Sequence, residues 1–490
     1  MLSESGRFDL FRLSRTVGLN DLTREGRLRS QVRVDAVYKR KADKVLPVGE
    51  GVLDGTSPGG DRGWKLKRIE AEKARGLLWP PRKFDHWLTP KFSDMPRGER
   101  LTNERAAKLV VGEELWPKER ELFLEMLYNR EKALAFDFSH CGRIHEDVAP
   151  PQEIRTIEHQ AWQSPGFPVP KKLLPTVIRM LQDRVDAGTL EECHGPYRNQ
   201  WFLVAKKSGA YRLVDAAMKY NAVTIRDANL PPNADEVSED FAGCVITSLI
   251  DFFSGYDQVT LVEKSRDLTG FMTPIGLLRH TTLVQGATNS VAQFVRVVTR
   301  ILKDHIPNKC RTFVDDVPVK GPTSTYNNEE IAPGIRRYVQ EHILNLDAVL
   351  VDIERAGGTI GPKSQFCLAG MKLVGFVCGA GGRSPDSQKV IKILEWPACT
   401  DVTQARAFIG VCVYYRIWVK EFAIVADSIY RLMRKGVEWK WGREQDEAMD
   451  ALKLALTSAP ALVKLDYSEG AGAIILAVDV SLKGWGAVLM

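Results

Sequence analysis

Two adjacent aspartates embedded in an apolar run constrain this chain more than any other feature. Thr312, Phe313, Val314, Asp315, Asp316, Val317, Pro318 and Val319 have the strand preference of a hairpin with Asp-Asp at its turn. Upstream, Val245, Ile246, Leu249 and Ile250 read as a buried strand that ends in Asp251 and runs on through Phe252, Phe253, Ser254, Gly255 and Tyr256. Carboxylates gathered at strand ends repel one another unless cations sit among them. Hard oxygen ligands select Mg²⁺ or Mn²⁺. This is the electrostatic requirement of a two-metal phosphoryl-transfer site, in which ions roughly 3.5–4 Å apart hold the attacking and leaving oxygens. An isolated Asp-Asp pair is most often a solvated turn, so the neighbouring motifs decide.

Between these stretches, Gln285, Gly286, Ala287, Thr288, Asn289 and Ser290 precede Val291, Phe294, Val295, Val298, Ile301 and Leu302, a helix face that Asn289 or Ser290 is suited to cap. In this order the three stretches resemble the palm motifs of reverse transcriptases. Their spacing and neighbours resemble the gypsy type of long-terminal-repeat retrotransposon, as encoded by fungi, from about Arg155 onward. The resemblance implies an α+β right-hand polymerase with fingers, palm and thumb, followed by a connection region and the start of an RNase H-like domain. The corresponding division is a leader of unknown function over 1–150, fingers and palm over 151–383, thumb and connection over 384–460, and an RNase H-like segment over 461–490.

The resemblance also implies roles for individual residues. Asp251, Asp315 and Asp316 would be the catalytic metal ligands for two Mg²⁺ ions, with Mn²⁺ an alternative. Lys363, in Gly361, Pro362, Lys363, Ser364, Gln365, Phe366, would donate a proton near the leaving pyrophosphate. A fingers hairpin of Trp201–Ala205 and Tyr211–Val214 around Lys206, Lys207, Ser208 and Gly209 would cover the incoming nucleotide. There Arg212 and either Lys206 or Lys207 would meet the triphosphate, which guanidinium and ammonium groups suit. Tyr256 would lie beneath the sugar and disfavour a 2′-hydroxyl, and Gln285 would hydrogen-bond near the sugar. Leu373–Val377 resembles the hairpin that grips the primer end, and Trp396, Tyr414, Tyr415, Arg416 and Trp418 match the thumb and connection. Asp479 would match the first RNase H carboxylate. One aspartate cannot hold two metals, and the sequence stops before further carboxylates, so RNase H activity is not expected.

The partners implied are an RNA template, a DNA primer or RNA–DNA hybrid, and deoxynucleoside triphosphates. A net charge of +6 suits a polyanion without specifying one. The eight cysteines are scattered with no C-x-x-C pair, which argues against a zinc knuckle or disulfide framework. No apolar run approaches the roughly 18 residues of a spanning helix, so no membrane role is expected. The setting expected is intracellular, a cytoplasmic retroelement particle with nuclear access. The acidic Glu4, Asp9, Asp21 and Glu25 among the early arginines argue against mitochondrial targeting.

Three departures from the family pattern stand out: Phe313 where many relatives have tyrosine, Val284 where proline is common, and Pro318 in the returning strand. Proline removes a strand donor and is normally confined to edges or bulges. It is, together with the point at which the sequence ends, the ground for the alternative reading, a catalytically inactive remnant that binds nucleic acid. A palm-fold nucleotidyl cyclase is a more distant alternative, against which the fingers hairpin and the Gln285 motif argue.

Overall fold

The strand that ends in Asp251 lies inside a four-stranded sheet, paired on both sides, and the rest of the chain is arranged on that sheet. The computed structural model describes residues 100–490 except 206–208, 210, 230, 460–461, 463–475, 482–483 and 490, and of 476–489 it describes the backbone. The strands are β1 (Val110–Val111), β2 (Leu190–Glu192), β3 (Trp201–Ala205), β4 (Tyr211–Asp215), β5 (Thr247–Asp251), β6 (Phe271–Thr273), β7 (Gly276–His280) and β8 (Asp316–Lys320). They continue as β9 (Glu330–Ala332), β10 (Ile335–Arg336), β11 (Gln365–Leu368), β12 (Gly370–Leu373), β13 (Phe376–Gly379), β14 (Gly382–Pro385), β15 (Leu476–Ser481) and β16 (Gly484–Leu489). The longer helices are α1 (Pro117–Asn129), α2 (Leu174–Asp186), α3 (Ser290–Ile301), α4 (Arg337–Arg355), α5 (Ser387–Leu394), α6 (Val402–Tyr414) and α7 (Arg443–Thr457).

The site-bearing sheet has the order β1-β11-β5-β8. β5 runs antiparallel to β8 and β11, and β1 runs parallel to β11. Helices α1, α3 and α4 cover it. The face of α4 that carries Leu346, Val349, Leu350 and Ile353 is fully buried, as are Phe123 and Met126 of α1. Burial of side chains this size stabilises by about 1.5–3 kcal/mol each, which explains why the 3.6-residue apolar period of α4 persists over its whole length. A second core joins β12, β13 and β14 to α5, α6 and α7, and a third packs α2 against Trp201, Phe271 and Leu278.

Residues 100–150, assigned by the sequence to a leader, share the core of the palm. Leu101, Leu122, Phe123, Met126 and Leu127 join Ile250, Val317 and Leu350 in one cluster. The tie is ionic as well as apolar. Glu119, fully buried, accepts from Arg336 Nε at 2.8 Å, Arg336 Nη2 at 2.7 Å and the Arg336 backbone N at 2.8 Å. Arg336 also lies over the rings of Trp116 at 4.5 Å and Tyr338 at 4.9 Å. The division expected near residue 150 therefore does not coincide with any break in the core.

Other expectations meet the structure with small shifts. The β3–β4 hairpin forms where the pattern places it, and Gly188 lies in the left-handed region (φ 67°) after α2. At the start of α6, Asp401 Oδ1 accepts from Gln404 N at 2.9 Å and Gln404 Oε1 accepts from Thr400 N. Asn289 occupies the N-cap of α3 without capping it, because its amide is bound to Asp227 N and Ile225 O instead. β15 and β16 form the antiparallel pair expected at the end of the sequence, with Asp479 opposite Gly486.

Candidate active site

The Asp-Asp hairpin is tighter than the sequence reading placed it. Phe313 N donates to Asp316 O at 2.8 Å and Asp316 N to Phe313 O at 2.9 Å, so the two-residue turn is Val314–Asp315. Asp315 sits in the turn and Asp316 begins β8. Val314 takes φ 56°, a left-handed conformation that β-branched residues rarely adopt. Asp316 pairs with Asp251 across the sheet. Phe252 N donates to Asp315 O at 3.3 Å, the bonding pattern of a non-hydrogen-bonded pair, in which opposed side chains approach most closely.

The same ladder resolves what Pro318 does. Pro318 lies opposite Leu249 in a pair of the same type as Asp251 and Asp316, so its nitrogen faces away from β5. On that outer side the segment Lys309–Phe313 folds back along β8, with Arg311 N donating to Pro318 O at 3.1 Å and Lys320 N to Lys309 O at 2.7 Å. The missing donor removes one bond of the outer hairpin and none between β5 and β8.

Burial is the main cause that raises the Asp316 carboxyl from its usual range to about 6, with Asp315 and Asp251 adding to it and Lys363 opposing. Asp251 is raised for the same first cause, with Lys363 lowering and Asp315 raising. Lys363 is exposed, yet its charge reaches both carboxylates. Asp251 is held by the loop that carries this lysine: Gly361 N donates to Asp251 O at 2.7 Å, and Asp251 N to Ser364 Oγ at 3.1 Å. Ser364 was not among the residues singled out from sequence, and no local pattern marks it.

Among the described residues no three His, Cys, Asp or Glu side chains are grouped closely enough to cage an ion as they stand. Where three converged carboxylates are expected, the structure has Asp251 and Asp316 as a facing pair with Asp315 in the adjoining turn. That arrangement fits Mg²⁺, which is usually bound through one or two carboxylates with substrate phosphate and water completing its shell. The raised Asp316 carboxyl is the second mark of fit, since a cation among these charges would relieve the repulsion that burial intensifies.

Tyr256 stands in a one-turn helix, Gly255–Gln258, beyond the end of β5. Its ring lies 5.2 Å from that of Phe294 on α3. A Cβ on Gly255 would come within 2.6 Å of the Phe294 ring, so glycine is what lets the turn approach the helix. Burial, followed by the charge of Asp315, pushes the Tyr256 hydroxyl up to about 12. Gln285 is exposed at the loop before α3, and Asn221, also missed from sequence, pins that loop by donating to Gly286 O at 2.9 Å and accepting from Thr288 N at 2.7 Å. Arg212 is exposed on β4 opposite Val204. Lys206 and Lys207 lie outside the described residues, as does the side chain of Asp479.

The primer-grip candidate is a β12–β13 hairpin whose turn residues Val374 and Gly375 both have positive φ, 46° and 85°, the arrangement of a type I′ turn. Tyr415 Oη donates to Gly375 O at 2.8 Å and Tyr414 Oη to Val374 O. Tyr415 and Trp418 are buried around Phe376. These aromatics tie the helical segment to the hairpin and serve chiefly as core.

Fold and site together define a right-hand polymerase domain with paired palm carboxylates. The comparisons with known proteins agree. Residues 204–378 match the reverse transcriptase (RNA-dependent DNA polymerase) family. The Pol polyprotein of transposon gypsy from Drosophila melanogaster is 26% identical over 354 residues, 69% of this chain and 33% of that protein. The foamy viral protease–reverse transcriptase in complex with double-stranded DNA has a TM-score of 0.66 at 17% identity, covering 84% of this chain and 70% of that one. The same viral protein in complex with an RNA/DNA hybrid has a TM-score of 0.62 at 18% identity, covering 81% and 53%. The chain spans about a third of the length of the curated relatives it matches. The chain is thus similar to Pol polyproteins of gypsy-type transposons, and the match to the reverse transcriptase family spans residues 204–378.

Proposed function

We propose that this chain catalyses RNA-templated addition of deoxynucleotides to a primer 3′-hydroxyl. The observation that carries the reading is the facing pair of Asp251 and Asp316 with Asp315 in the adjoining turn. These three carboxylates would hold two divalent cations, Mg²⁺ or Mn²⁺. When bound, the cations activate the primer hydroxyl and neutralise charge on the pyrophosphate. Arg212, with Lys206 or Lys207, would bind the triphosphate, Gln285 would orient the sugar and Tyr256 would exclude a 2′-hydroxyl. Lys363, carried on the loop bonded to Asp251, would deliver a proton to the departing pyrophosphate. The foamy viral proteins this chain resembles are seen in complex with double-stranded DNA and with an RNA/DNA hybrid, and a primer–template duplex is the corresponding partner here. The setting that goes with this reaction is a cytoplasmic retroelement particle with nuclear access. Among the described residues no helix is long and apolar enough to cross a membrane.

Pro318 leaves the β5–β8 ladder whole, so the proline itself does not support reading the chain as an inactive remnant. Primer extension on an RNA template with Mg²⁺ tests the proposal. Wild-type protein should extend the primer, and Asp315→Asn should abolish extension while leaving primer–template binding within a few-fold, because the lost charge serves the cations and not the duplex. Substantial extension by Asp315→Asn would sink the assignment.

A further inference from the structure

Tyr256 owes its position to the residue that follows it. Asp257 is buried, and its carboxylate takes two independent partners: Arg184 Nη1 at 3.0 and 3.2 Å, and Ser254 Oγ at 2.5 Å. Asp257 N donates in turn to Ser254 O at 2.8 Å. Ser254, which opens the turn, has φ 47°, a left-handed conformation that is unfavourable for a non-glycine residue. The doubly bonded carboxylate is what holds it there.

Arg184 belongs to α2, on a different core from the palm. Its guanidinium is fixed from the other side, 4.9 Å over the ring of Phe138, whose edge meets Phe253 at 5.6 Å. At the end of the turn, Gln258 Nε2 donates to Thr359 O at 2.7 Å and Gln258 Oε1 accepts from Thr359 N at 2.8 Å, just before the loop of Lys363. The turn is thus braced by α2 through an ion pair, by α3 through Phe294 and by Thr359 through the amide. Only the first brace is electrostatic, and it grips the residue bonded to Tyr256.

We infer that Arg184 and Asp257 are specificity-determining positioning residues, whose ion pair sets the depth of the Tyr256 ring in the nucleotide pocket and so the exclusion of ribonucleotides. The inference rests on the reading of Tyr256 proposed above. Steric exclusion depends steeply on distance, so releasing the turn should admit a 2′-hydroxyl before it harms incorporation of the deoxynucleotide. A general loosening of the fold would instead slow both substrates alike.

The test compares incorporation efficiency for a deoxynucleotide and its ribonucleotide opposite one template base. The proteins are wild type, Tyr256→Ala, Asp257→Asn, Arg184→Met, Arg184→Lys and the double variant Tyr256→Ala/Asp257→Asn. Asp257→Asn and Arg184→Met should lower the deoxy-to-ribo ratio about tenfold, the order of discrimination that small steric differences support. Arg184→Lys should recover part of it. The double variant should match Tyr256→Ala alone, because both act through one ring. Ser254→Ala, which removes a single hydroxyl, gives the same direction if Asp257→Asn fails to fold. A ratio within twofold of wild type in Asp257→Asn, Arg184→Met and Ser254→Ala, with the ratio collapsed in Tyr256→Ala, would overturn the inference and leave the parent reading standing. An unchanged ratio in Tyr256→Ala overturns both.

Discussion

Asp251 and Asp316 face each other across the β5–β8 ladder as a non-hydrogen-bonded pair, and the Asp316 carboxyl is raised to about 6, first by burial and then by Asp315 and Asp251. Under the proposed function a proton and a cation would compete for the same carboxylate near pH 6. Below that value Asp316 is protonated and the cation must displace the proton. The Mg²⁺ concentration giving half-maximal extension should rise as pH falls from about 7 to about 5, and excess Mg²⁺ should recover much of the lost rate. A half-saturating concentration that stays constant over this range would show that Asp316 is not a ligand.

A second buried carboxyl governs stability. Asp215 ends β4, accepts from Tyr220 Oη at 3.3 Å, and has no partner for Oδ1 among the described residues. Burial raises it to about 8, against the lowering by Tyr220 and Ala216 N. Below the ordinary value of 3.8 it is protonated in both states. Between 3.8 and about 8 the unfolded chain alone releases the proton, so stability is lost as the pH rises. Asp215→Asn removes this drain. Its melting temperature should exceed that of wild type by roughly 5 °C at pH 8 and match it near pH 4. A gain of equal size at both pH values would mean that packing, and not ionisation, is responsible.

The ion pair between Glu119 and Arg336 makes residues 100–150 part of the palm. Glu119→Gln keeps the shape and strands the buried guanidinium, which should cost about 3–5 kcal/mol in denaturant unfolding. Loss of less than about 1 kcal/mol would show that the segment is a dispensable attachment.

These positions mark where the sequence was legible. The apolar run before Asp251, the 3.6-residue stripe of α3 and the basic hairpin β3–β4 are local patterns, and each forms within a residue or two of its expected place. The turn at Val314–Asp315 was misplaced by one residue because nothing in valine announces φ 56°, and the tertiary pairing of Asp316 with Asp251 imposes it. The Ser364 bond to Asp251 spans 113 residues and the Glu119–Arg336 pair spans 217. Such contacts leave no local periodicity, which is why the leader was read as separate and Ser364 was passed over.

Pro318 gives a prediction opposite to the one its residue type suggests. Its nitrogen faces the outer segment at Arg311 and not β5, so Pro318→Val adds one donor without touching the catalytic ladder. Stability should stay within about 1 kcal/mol of wild type, the scale of a single net hydrogen bond, and primer extension within about twofold. A large rise in extension on replacing Pro318 would show that the proline impairs the palm.

Tyr256 lies against Phe294, and under the proposed function its aromatic volume would exclude a ribose. If the cations held by Asp251 fix the triphosphate, the sugar must lie a short distance along the same motif, against this ring. Exclusion by volume does not need the hydroxyl, so Tyr256→Phe should keep most of the preference for deoxynucleotides. Tyr256→Ala opens the space and should lose it, with deoxynucleotide incorporation reduced far less than discrimination. The quantity to compare is the deoxy-to-ribo efficiency ratio in the three proteins. A ratio lost in Tyr256→Phe as fully as in Tyr256→Ala would transfer the role from the ring to its hydroxyl, and the steric account would fall.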